Sequence, residues 1–380
     1  MVLRCLIRLA MVGGLVVPGG SLAWGQQASQ AVGPMGVVTL PSDPRIVLLG
    51  RVDKTDPAAP RFGFPGTGWM IRFQGSSVMV GVDSDSATSA LTVVLDGKQL
   101  PVQILEKGYN RFQVAAAATV PASWDGLSVV HTLEVLKRTE TWQGVVTFRD
   151  LMMGTSKLLS APRLPERRLM FVGDSVTCGT GVNNDATCKN PVTDPSSDAY
   201  DSYGMLLGRR LDAQVQLVCY GGRGLERDYK GNGVAEGTLN APQFLDLAIA
   251  TDDPKGRVVW DTKSYVPDGI VVSLGTNDFS LEATKPLDGA VWVGEYVAFL
   301  KRLRAEYPKA VIMGTEGAIV TDPLLRQYIQ QAVDQVHDPK ILWVESKHYP
   351  GNGCNGHPSR EQHVHMAEDF EDVLREKLGW

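Results

Sequence analysis

From residue 168 to its end, the chain alternates between short apolar runs and longer amphipathic segments, and this alternation restricts the fold more than any other feature. The apolar runs have the length of β-strands and lie at 169–172, 215–219, 269–274, 310–313 and 341–344. The amphipathic segments have helical periodicity and lie at 200–211, 291–307, 324–336 and 361–378. Such alternation predicts a parallel sheet covered on both faces by helices. Sheets of this kind bind ligands at the carboxyl ends of their strands, so functional residues are expected directly after the strands.

The N-terminal half has a different pattern, in which short strands are separated by turns. Runs rich in β-branched and aromatic residues lie at 46–49, 69–73, 77–80, 91–95, 129–136 and 144–148. Asp96-Gly97 predicts a hairpin turn. We therefore predict an all-β sandwich over 42–150, a linker over 151–166 and an α/β domain over 167–380. A chain of 380 residues is long enough for both domains.

The first 25 residues have the layout of a secretory signal peptide. Arg4 and Arg8 precede an apolar run at 9–17, and small residues follow that run. The run is too short to span a bilayer, and no later stretch approaches ~20 apolar residues, so no membrane anchor is expected. We predict a signal peptide at 1–25, a disordered leader at 26–41, and a secreted or periplasmic mature protein.

The charge balance argues against nucleic acid and anionic lipid as partners. The chain has 37 basic and 42 acidic residues, which gives a formal net charge of −5. A mildly acidic protein has no broad electrostatic attraction to polyanions, so no nucleic-acid partner is predicted.

Two short motifs contain the residue types that nucleophilic catalysis needs. A Gly-Asp-Ser sequence ends at Ser175, directly after the first predicted strand of the α/β domain. A serine at a strand-to-helix turn is exposed and close to backbone N–H groups that can stabilise negative charge. His357, in a Gly-His-Pro sequence, lies between the last predicted strand and the last helix, and histidine is the usual base for a serine. Taken alone, Ser175 could also be a helix N-cap.

Two further motifs offer hydrogen-bond donors at strand ends. The sequence Tyr-Gly-Gly-Arg-Gly at 220–224 contains Gly222, whose bare backbone a ligand can approach. The sequence Gly-Thr-Asn-Asp at 275–278 contains Asn277, whose side-chain amide is the kind of donor that an oxyanion hole requires. Taken alone, the glycine run could be a flexible turn, and Asn277 or Asp278 could cap the following segment.

The other histidines do not predict a metal site. Glu361, His363 and His365 lie close together on the last predicted helix. Helical ligand pairs prefer a spacing of four residues, whereas the two histidines are two apart and point to different faces. We therefore expect no metal site from these residues.

The four motifs occur in the order Gly-Asp-Ser, Gly, Gly-x-Asn-Asp and His-Pro, which over 168–380 resembles the SGNH (GDSL-type) hydrolase superfamily. The longer sequence Gly-Asp-Ser-Val-Thr-Cys-Gly at 173–179, and the sequences at 61–68 and 94–97, are similar to carbohydrate esterase family 2. The resemblance implies a jelly-roll sandwich followed by a three-layer α/β/α SGNH domain. It also implies a serine esterase that removes acetyl groups from a carbohydrate or polysaccharide without a cofactor.

The resemblance also implies roles for the matching positions. Ser175 would be the nucleophile and His357 the general base and acid. The backbone N–H groups of Ser175 and Gly222 and the side-chain amide of Asn277 would bind the oxyanion. Many SGNH enzymes have an aspartate three residues before the histidine, but this chain has Cys354 there. Either a backbone carbonyl or a distant acid would then orient His357, or the activity would be weaker.

Four cysteines lie outside the predicted signal peptide: Cys178, Cys188, Cys219 and Cys354. In an exported protein they permit disulfides, with three full pairings. Cys354 could pair with Cys188 or Cys178, which would hold the His357 loop rigidly, and Cys219 could also be simply buried. The sequence leaves these alternatives open.

Two other functions fit the same residues. In an acyltransferase, a sugar hydroxyl rather than water would accept the acyl group. A glycan-binding or assembly protein without activity would keep the fold. The cysteine at 354 favours this alternative, and the intact motifs argue against it.

Trp69, Trp124 and Trp142 of the β domain could bind glycan, but most of them are expected in the core. Xylan, glucomannan, cellulose, an acylated bacterial exopolysaccharide and small acetylated sugars all fit the sequence as substrates.

Overall fold

The alternating apolar residues of the N-terminal half form two antiparallel sheets. The computed structural model describes residues 38–115, 129–183, 196–349 and 351–380, and Gly36–Trp380 form one compact unit. Within these residues the strands of the two sheets are β1 (Val38–Thr39), β2 (Val47–Leu49), β3 (Val52–Asp53), β4 (Arg61–Phe62), β5 (Gly68–Gln74), β6 (Ser77–Ser84), β7 (Ala90–Leu95), β8 (Lys98–Gln99), β9 (Gln103–Ile104), β10 (Gly108–Ala115), β11 (Val130–Lys137), β12 (Val146–Met152) and β13 (Lys157–Leu158). One sheet has the order β10-β6-β12-β4-β3 with β1 beside β12, and the other has the order β13-β5-β11-β7-β8 with β2 beside β5 and β9 beside β7. The predicted all-β sandwich is confirmed.

The core between these sheets follows from the alternation of side chains along each strand. Three alternate residues of β6, Val78, Val80 and Val82, are fully buried. Trp69 on β5 is also fully buried, and its ring stacks on Phe148 with 4.0 Å between the ring centroids. Trp69 is therefore a core residue, as the sequence predicted.

The sandwich agrees with the sequence-based prediction at one turn and differs from it at a strand and a tryptophan. Asp96 and Gly97 do form the predicted hairpin turn, with φ of 53° and 77°, as a type I′ turn requires. Strand β13 lies inside the segment predicted as a linker, because its apolar residue packs into the sandwich core. Trp142 is 54% exposed on a 3-10 helix (Thr141–Gln143) and is not a core residue, whereas Trp124 lies outside the described residues.

The second half of the chain forms a parallel sheet with helices on both faces. Its strands are β14 (Arg167–Gly173), β15 (Ala213–Cys219), β18 (Gly269–Ser273), β19 (Val311–Thr315) and β20 (Ile341–Trp343), and a separate antiparallel pair consists of β16 (Leu247–Ile249) and β17 (Val258–Val259). The parallel order is β15-β14-β18-β19-β20. The helices of the described residues are α1 (Ser175–Cys178), α2 (Tyr203–Arg210), α3 (Ala241–Phe244), α4 (Gly289–Glu306), α5 (Pro323–Val336) and α6 (Arg360–Leu378).

Alternate residues of the interior strand β14 face opposite helical layers. Met170 and Val172 pack in the apolar cluster that contains the buried residues of α4 and α5. Leu169 and Phe171 pack in the cluster that contains those of α2 and α6. β14 is an interior strand, between β15 and β18, and its two apolar faces are both covered by helices, so the predicted three-layer α/β/α arrangement is confirmed.

Buried polar groups join the sandwich to the α/β domain. Arg51 of the sandwich is fully buried and donates to the backbone carbonyls of Leu245 at 2.5 Å and Leu247 at 3.3 Å. Arg138 pairs with Asp198 at 2.6 Å, and both side chains are almost fully buried. A buried charge without its partner is costly, so these contacts fix the position of each domain against the other.

The predicted signal peptide and most of the predicted leader lie outside the described residues, although β1 occupies the end of that leader. In the described part of the chain, no helix has the length and apolar character needed to cross a membrane. Export therefore stays a prediction from the sequence.

Candidate active site

Ser175 lies at the turn between the interior strand β14 and helix α1. Asp174 caps the helix, because its Oδ1 accepts a hydrogen bond from the Val176 N–H at 3.0 Å. Gly173 ends β14, and a Cβ at this position would lie 2.0 Å from Thr177 Oγ1, so only glycine fits. The turn places Ser175 at the carboxyl edge of the sheet, where functional residues were expected.

His357 contacts the hydroxyl of Ser175 directly. Its Nε2 lies 2.8 Å from Ser175 Oγ, and its Nδ1 lies 3.2 Å from the backbone carbonyl oxygen of Asn355. A carbonyl can only accept, so Nδ1 carries the ring proton and Nε2 is left to accept the serine proton. Of the two orienting groups that the sequence left open, the backbone carbonyl is the one in contact.

The loop before His357 has a backbone conformation that presents this carbonyl. Asn355 has φ of 55° and ψ of 34°, in the left-handed region that asparagine tolerates better than most residues. The loop closes on itself, because Gly353 N–H donates to the His357 carbonyl at 2.9 Å and His357 N–H donates to the Cys354 carbonyl at 3.1 Å. Gly181 packs beneath it, where a Cβ would lie 2.5 Å from the Cβ of His357.

The structure shows how two of the four cysteines outside the predicted signal peptide are paired. Cys178, the last residue of helix α1, is bonded to Cys219 at the end of β15. The alternative that Cys354 pairs with Cys178 is therefore wrong, and Cys219 is buried as a bridged rather than a free cysteine. Cys354 is itself disulfide-bonded, and Cys188 lies outside the described residues.

Gly222 and Asn277 lie on the loops that follow the two neighbours of β14. The last residues of β15 and β18 are both in register with Gly173, so the two loops begin beside the turn that holds Ser175. Asn277 is 8% exposed, and its Nδ2 donates to the Arg223 carbonyl at 2.9 Å. An amide has two N–H bonds, so the second remains for a ligand. Gly222 has φ of 76°, a conformation that favours glycine.

Asp278 shapes the glycine loop from within. It is fully buried, and its carboxylate accepts from the backbone N–H groups of Leu225, Glu226 and Arg227 at 2.9, 2.8 and 3.2 Å. Burial raises its pKa, and these three bonds oppose the rise. A Cβ on Gly224 would lie 2.2 Å from this carboxylate. Asp278 thus supports the loop that contains Gly222, a role that the sequence analysis did not anticipate.

The two histidines of helix α6, His363 and His365, contact different groups. His363 is fully buried, its Nδ1 accepts from the Tyr203 N–H at 3.1 Å, and burial lowers its pKa to about 3. His365 is exposed and lies 3.2 Å from Glu368. Among the described residues, no three His, Cys, Asp or Glu side chains converge as metal ligands.

Two family profiles match the chain, one in each half. The profile described as Carbohydrate esterase 2 N-terminal matches residues 48–162, and that of the GDSL-like Lipase/Acylhydrolase family matches residues 171–376. The chain is 34% identical over 342 residues to an acetylxylan esterase / glucomannan deacetylase of Cellvibrio japonicus (strain Ueda107), which covers 89% of this chain and 90% of the relative. This chain belongs to carbohydrate esterase family 2.

Solved structures of family 2 carbohydrate esterases are similar to this esterase over both domains. One from Cellvibrio japonicus has a TM-score of 0.79 and 33% identity, covering 90% of this chain and 98% of that one. One from Clostridium thermocellum, in complex with cellohexaose, has a TM-score of 0.77 and 29% identity, covering 88% and 99%. The esterase is also 32% identical to the cellulase/esterase CelE of Acetivibrio thermocellus, of which it spans 40%. The family and the two-domain architecture predicted from the motifs are confirmed.

Proposed function

We propose that this carbohydrate esterase removes acetyl groups from a polysaccharide, with Ser175 as nucleophile and His357 as its base. The observation that carries the proposal is the 2.8 Å contact between His357 Nε2 and Ser175 Oγ. Because the Asn355 carbonyl holds the opposite ring nitrogen, this contact has the polarity that proton transfer from serine to histidine needs.

In the first half of the reaction, Ser175 Oγ attacks the acetyl carbonyl carbon while His357 Nε2 takes the hydroxyl proton. The carbonyl oxygen becomes an oxyanion, which accepts hydrogen bonds from the N–H groups of Ser175 and Gly222 and from Asn277 Nδ2. The bond between the carbonyl carbon and the sugar oxygen then breaks. The sugar oxygen leaves with the proton from His357, and the acetyl group stays on Ser175.

In the second half, water replaces the sugar. His357 takes a proton from the water molecule, whose oxygen attacks the acetyl carbonyl carbon of the acyl-serine. The ester bond to Ser175 Oγ breaks, this oxygen takes the proton back from His357, and acetate is released. The cycle consumes one water and requires no redox step, so it needs no cofactor.

The polysaccharide in this proposal is supported by the relatives. The Cellvibrio japonicus relative is named as an acetylxylan esterase and glucomannan deacetylase, and a Clostridium thermocellum structure contains cellohexaose. Acetylated xylan and glucomannan are therefore the substrates that we propose to test first. Secretion, which the sequence of residues 1–25 predicts, would bring the enzyme to such substrates.

Acetate release from acetylated xylan, glucomannan and cellulose oligosaccharides tests the function directly. We expect release from at least one of them, and none from the same polymers after alkaline deacetylation. An aryl acetate serves as a substrate without a sugar. Hydrolysis of the aryl acetate alone would contradict the polysaccharide substrate. Transfer of acetyl to an added sugar without acetate release would identify an acyltransferase instead.

The pH profile is expected to have its acid limb below the ordinary titration range of histidine. Burial lowers the pKa of His357 from 6.5, and hydrogen bonds with the backbone of Asn355 and Cys354 oppose the shift. The base must be neutral, so kcat/KM rises as pH rises through this lowered pKa and exceeds half its maximum at pH 6.5. Measuring kcat/KM for an aryl acetate from about pH 4 to 8 checks this, with activity assayed again after return to neutral pH to exclude unfolding. A midpoint at or above 6.5 would show that burial does not govern this histidine.

A further inference from the structure

One segment of the β-sandwich enters the edge of the α/β domain where the active site lies. After β11 the chain runs through Glu140 into the 3-10 helix (Thr141–Gln143). The Thr141 hydroxyl donates to the backbone carbonyl of Cys219, the last residue of β15, at 2.6 Å. Lys137, which is fully buried, donates from Nζ to the backbone carbonyl of Glu140 at 2.6 Å. Hydrogen bonds from the sandwich and to the α/β domain therefore fix the position of this segment.

The carboxylate of Glu140 contacts two of the segments that carry candidate catalytic groups, the Ser175 turn and the Gly222 loop. Its Oε2 accepts from the Gly221 N–H at 3.0 Å, and its Oε1 accepts from the Thr180 hydroxyl. Gly221 is adjacent to Gly222 in the glycine loop. Thr180 follows helix α1, and its own N–H donates to the backbone carbonyl of Ser175 at 3.0 Å. One carboxylate thus spans the nucleophile turn and the loop of the proposed oxyanion donor.

The fit around this carboxylate is close. Glu140 is 2% exposed, and a Cβ on Gly221 would lie 2.5 Å from Oε1 and 2.8 Å from Oε2. Burial raises the pKa of Glu140, and the bonds from Thr180 and Gly221 and the charge of Lys137 oppose the rise. A buried carboxylate is costly unless its partners are in place, so the two loops and this side chain stabilise one arrangement together.

We propose that Glu140 is a positioning residue, by which the β-sandwich sets the distance between the Ser175 turn and the loop that contains Gly222. This inference rests on the proposed function, because it assigns Glu140 an effect only through the nucleophile and the oxyanion donor. Its consequence is that the sandwich forms part of the catalytic unit. Loss of the carboxylate lets Gly221 and Thr180 move apart, and a displacement near 1 Å costs up to about 100-fold in rate.

Three variants of the full chain test the proposal with an aryl acetate. We expect Glu140→Ala to lower kcat by about 10- to 100-fold with KM changed by less than about threefold, because chemistry rather than binding is affected. Glu140→Gln should recover kcat to within about fivefold, since its amide oxygen accepts from Gly221 and its amide nitrogen donates to the Thr180 hydroxyl oxygen. Thr180→Val, which removes one of the two links, should fall between them. Combined with Glu140→Ala, it should add little further loss.

Arg51→Met is the matched control, because Arg51 is as deeply buried and crosses the same domain interface without contacting either loop. We expect it to lower Tm but leave kcat within about twofold of wild type at a temperature where it is folded. If Glu140→Ala behaves like Arg51→Met, the role is structural only and the proposal is wrong. If Glu140→Ala does not fold, Thr180→Val decides, and a wild-type kcat for it overturns the proposal.

A second readout separates this inference from the proposed function. The rate at which a fluorophosphonate labels Ser175 depends on the nucleophile and the oxyanion donors but not on the natural substrate. If the wild type hydrolyses no acetylated polysaccharide, the proposed substrate fails, yet slower labelling of Glu140→Ala still supports the positioning role. A wild type whose Ser175 is not labelled overturns both.

Discussion

Replacing Ser175 by alanine is expected to lower kcat for acetyl ester hydrolysis by about 10⁴- to 10⁶-fold. The acyl-enzyme forms on Ser175 Oγ, and alanine has no atom that can make this bond. The fold should be unaffected, because among the described residues the hydroxyl has its hydrogen bond with the His357 side chain and joins no other element. Tm should stay within about 2 °C of wild type. Acetate release and the hydrolysis of an aryl acetate, both measured at substrate saturation, give the loss in kcat.

Ser202→Ala is the matched control for this prediction. Ser202 is also a serine at the start of a helix, it is fully buried, and its Oγ has no hydrogen-bond partner among the described residues. We expect wild-type kcat for this variant. If Ser175→Ala retained more than about 1% of the wild-type kcat, Ser175 would not be the nucleophile, since no other group could replace a covalent intermediate at that rate.

Replacing Asn277 by alanine is expected to lower kcat by about 10²- to 10³-fold, with KM changed little. The amide N–H that does not bond to Arg223 is the donor proposed for the oxyanion, and the negative charge exists only after attack. Removing one such donor costs about 3–4 kcal/mol in the transition state and little in the ground state. Steady-state kinetics with an aryl acetate separate kcat from KM.

The control for Asn277 must reproduce its structural bond without its proposed chemistry. Asn240 is fully buried, and its Nδ2 donates to the Glu226 carbonyl at 2.8 Å, as Asn277 Nδ2 does to the Arg223 carbonyl at 2.9 Å. Asn240→Ala should lower Tm without lowering kcat of the folded enzyme. Equal losses of kcat in both variants would mean that Asn277 only supports the loop and does not bind the oxyanion.

The residues that line the candidate site were visible in the sequence because each belongs to a short motif after a strand. Ser175, Gly222, Asn277 and His357 lie at the carboxyl edge of one sheet, as the alternation of strands and helices predicted. The contact between Glu140 and Thr180 could not be predicted from the sequence, because Glu140 belongs to the β-sandwich and Thr180 to the α/β domain. The two residues are 40 positions apart in different domains, and no local pattern marks a carboxylate that will be buried.

The loop before His357 also shows which features the sequence predicted and which only the structure revealed. Cys354 occupies the position where an aspartate was expected, so the sequence excluded that aspartate but did not select its replacement. The Asn355 carbonyl has this role because Asn355 adopts a left-handed backbone conformation. A backbone carbonyl is present at every residue, so its identity as a partner depends on a dihedral angle rather than on a residue type.

Local patterns in the chain were sufficient to predict the two-domain architecture, the placement of functional residues after the parallel strands, and the choice of the four candidate residues. Period-two alternation, helical periodicity and glycine at strand ends each involve only a few neighbouring residues. They can therefore be recognised in a single sequence. The tertiary structure alone decided the Cys178–Cys219 disulfide, the carbonyl that orients His357, and the Glu140 carboxylate between two loops. Each of these is a contact between segments or a backbone angle that packing selects, and packing depends on the shape of the whole chain.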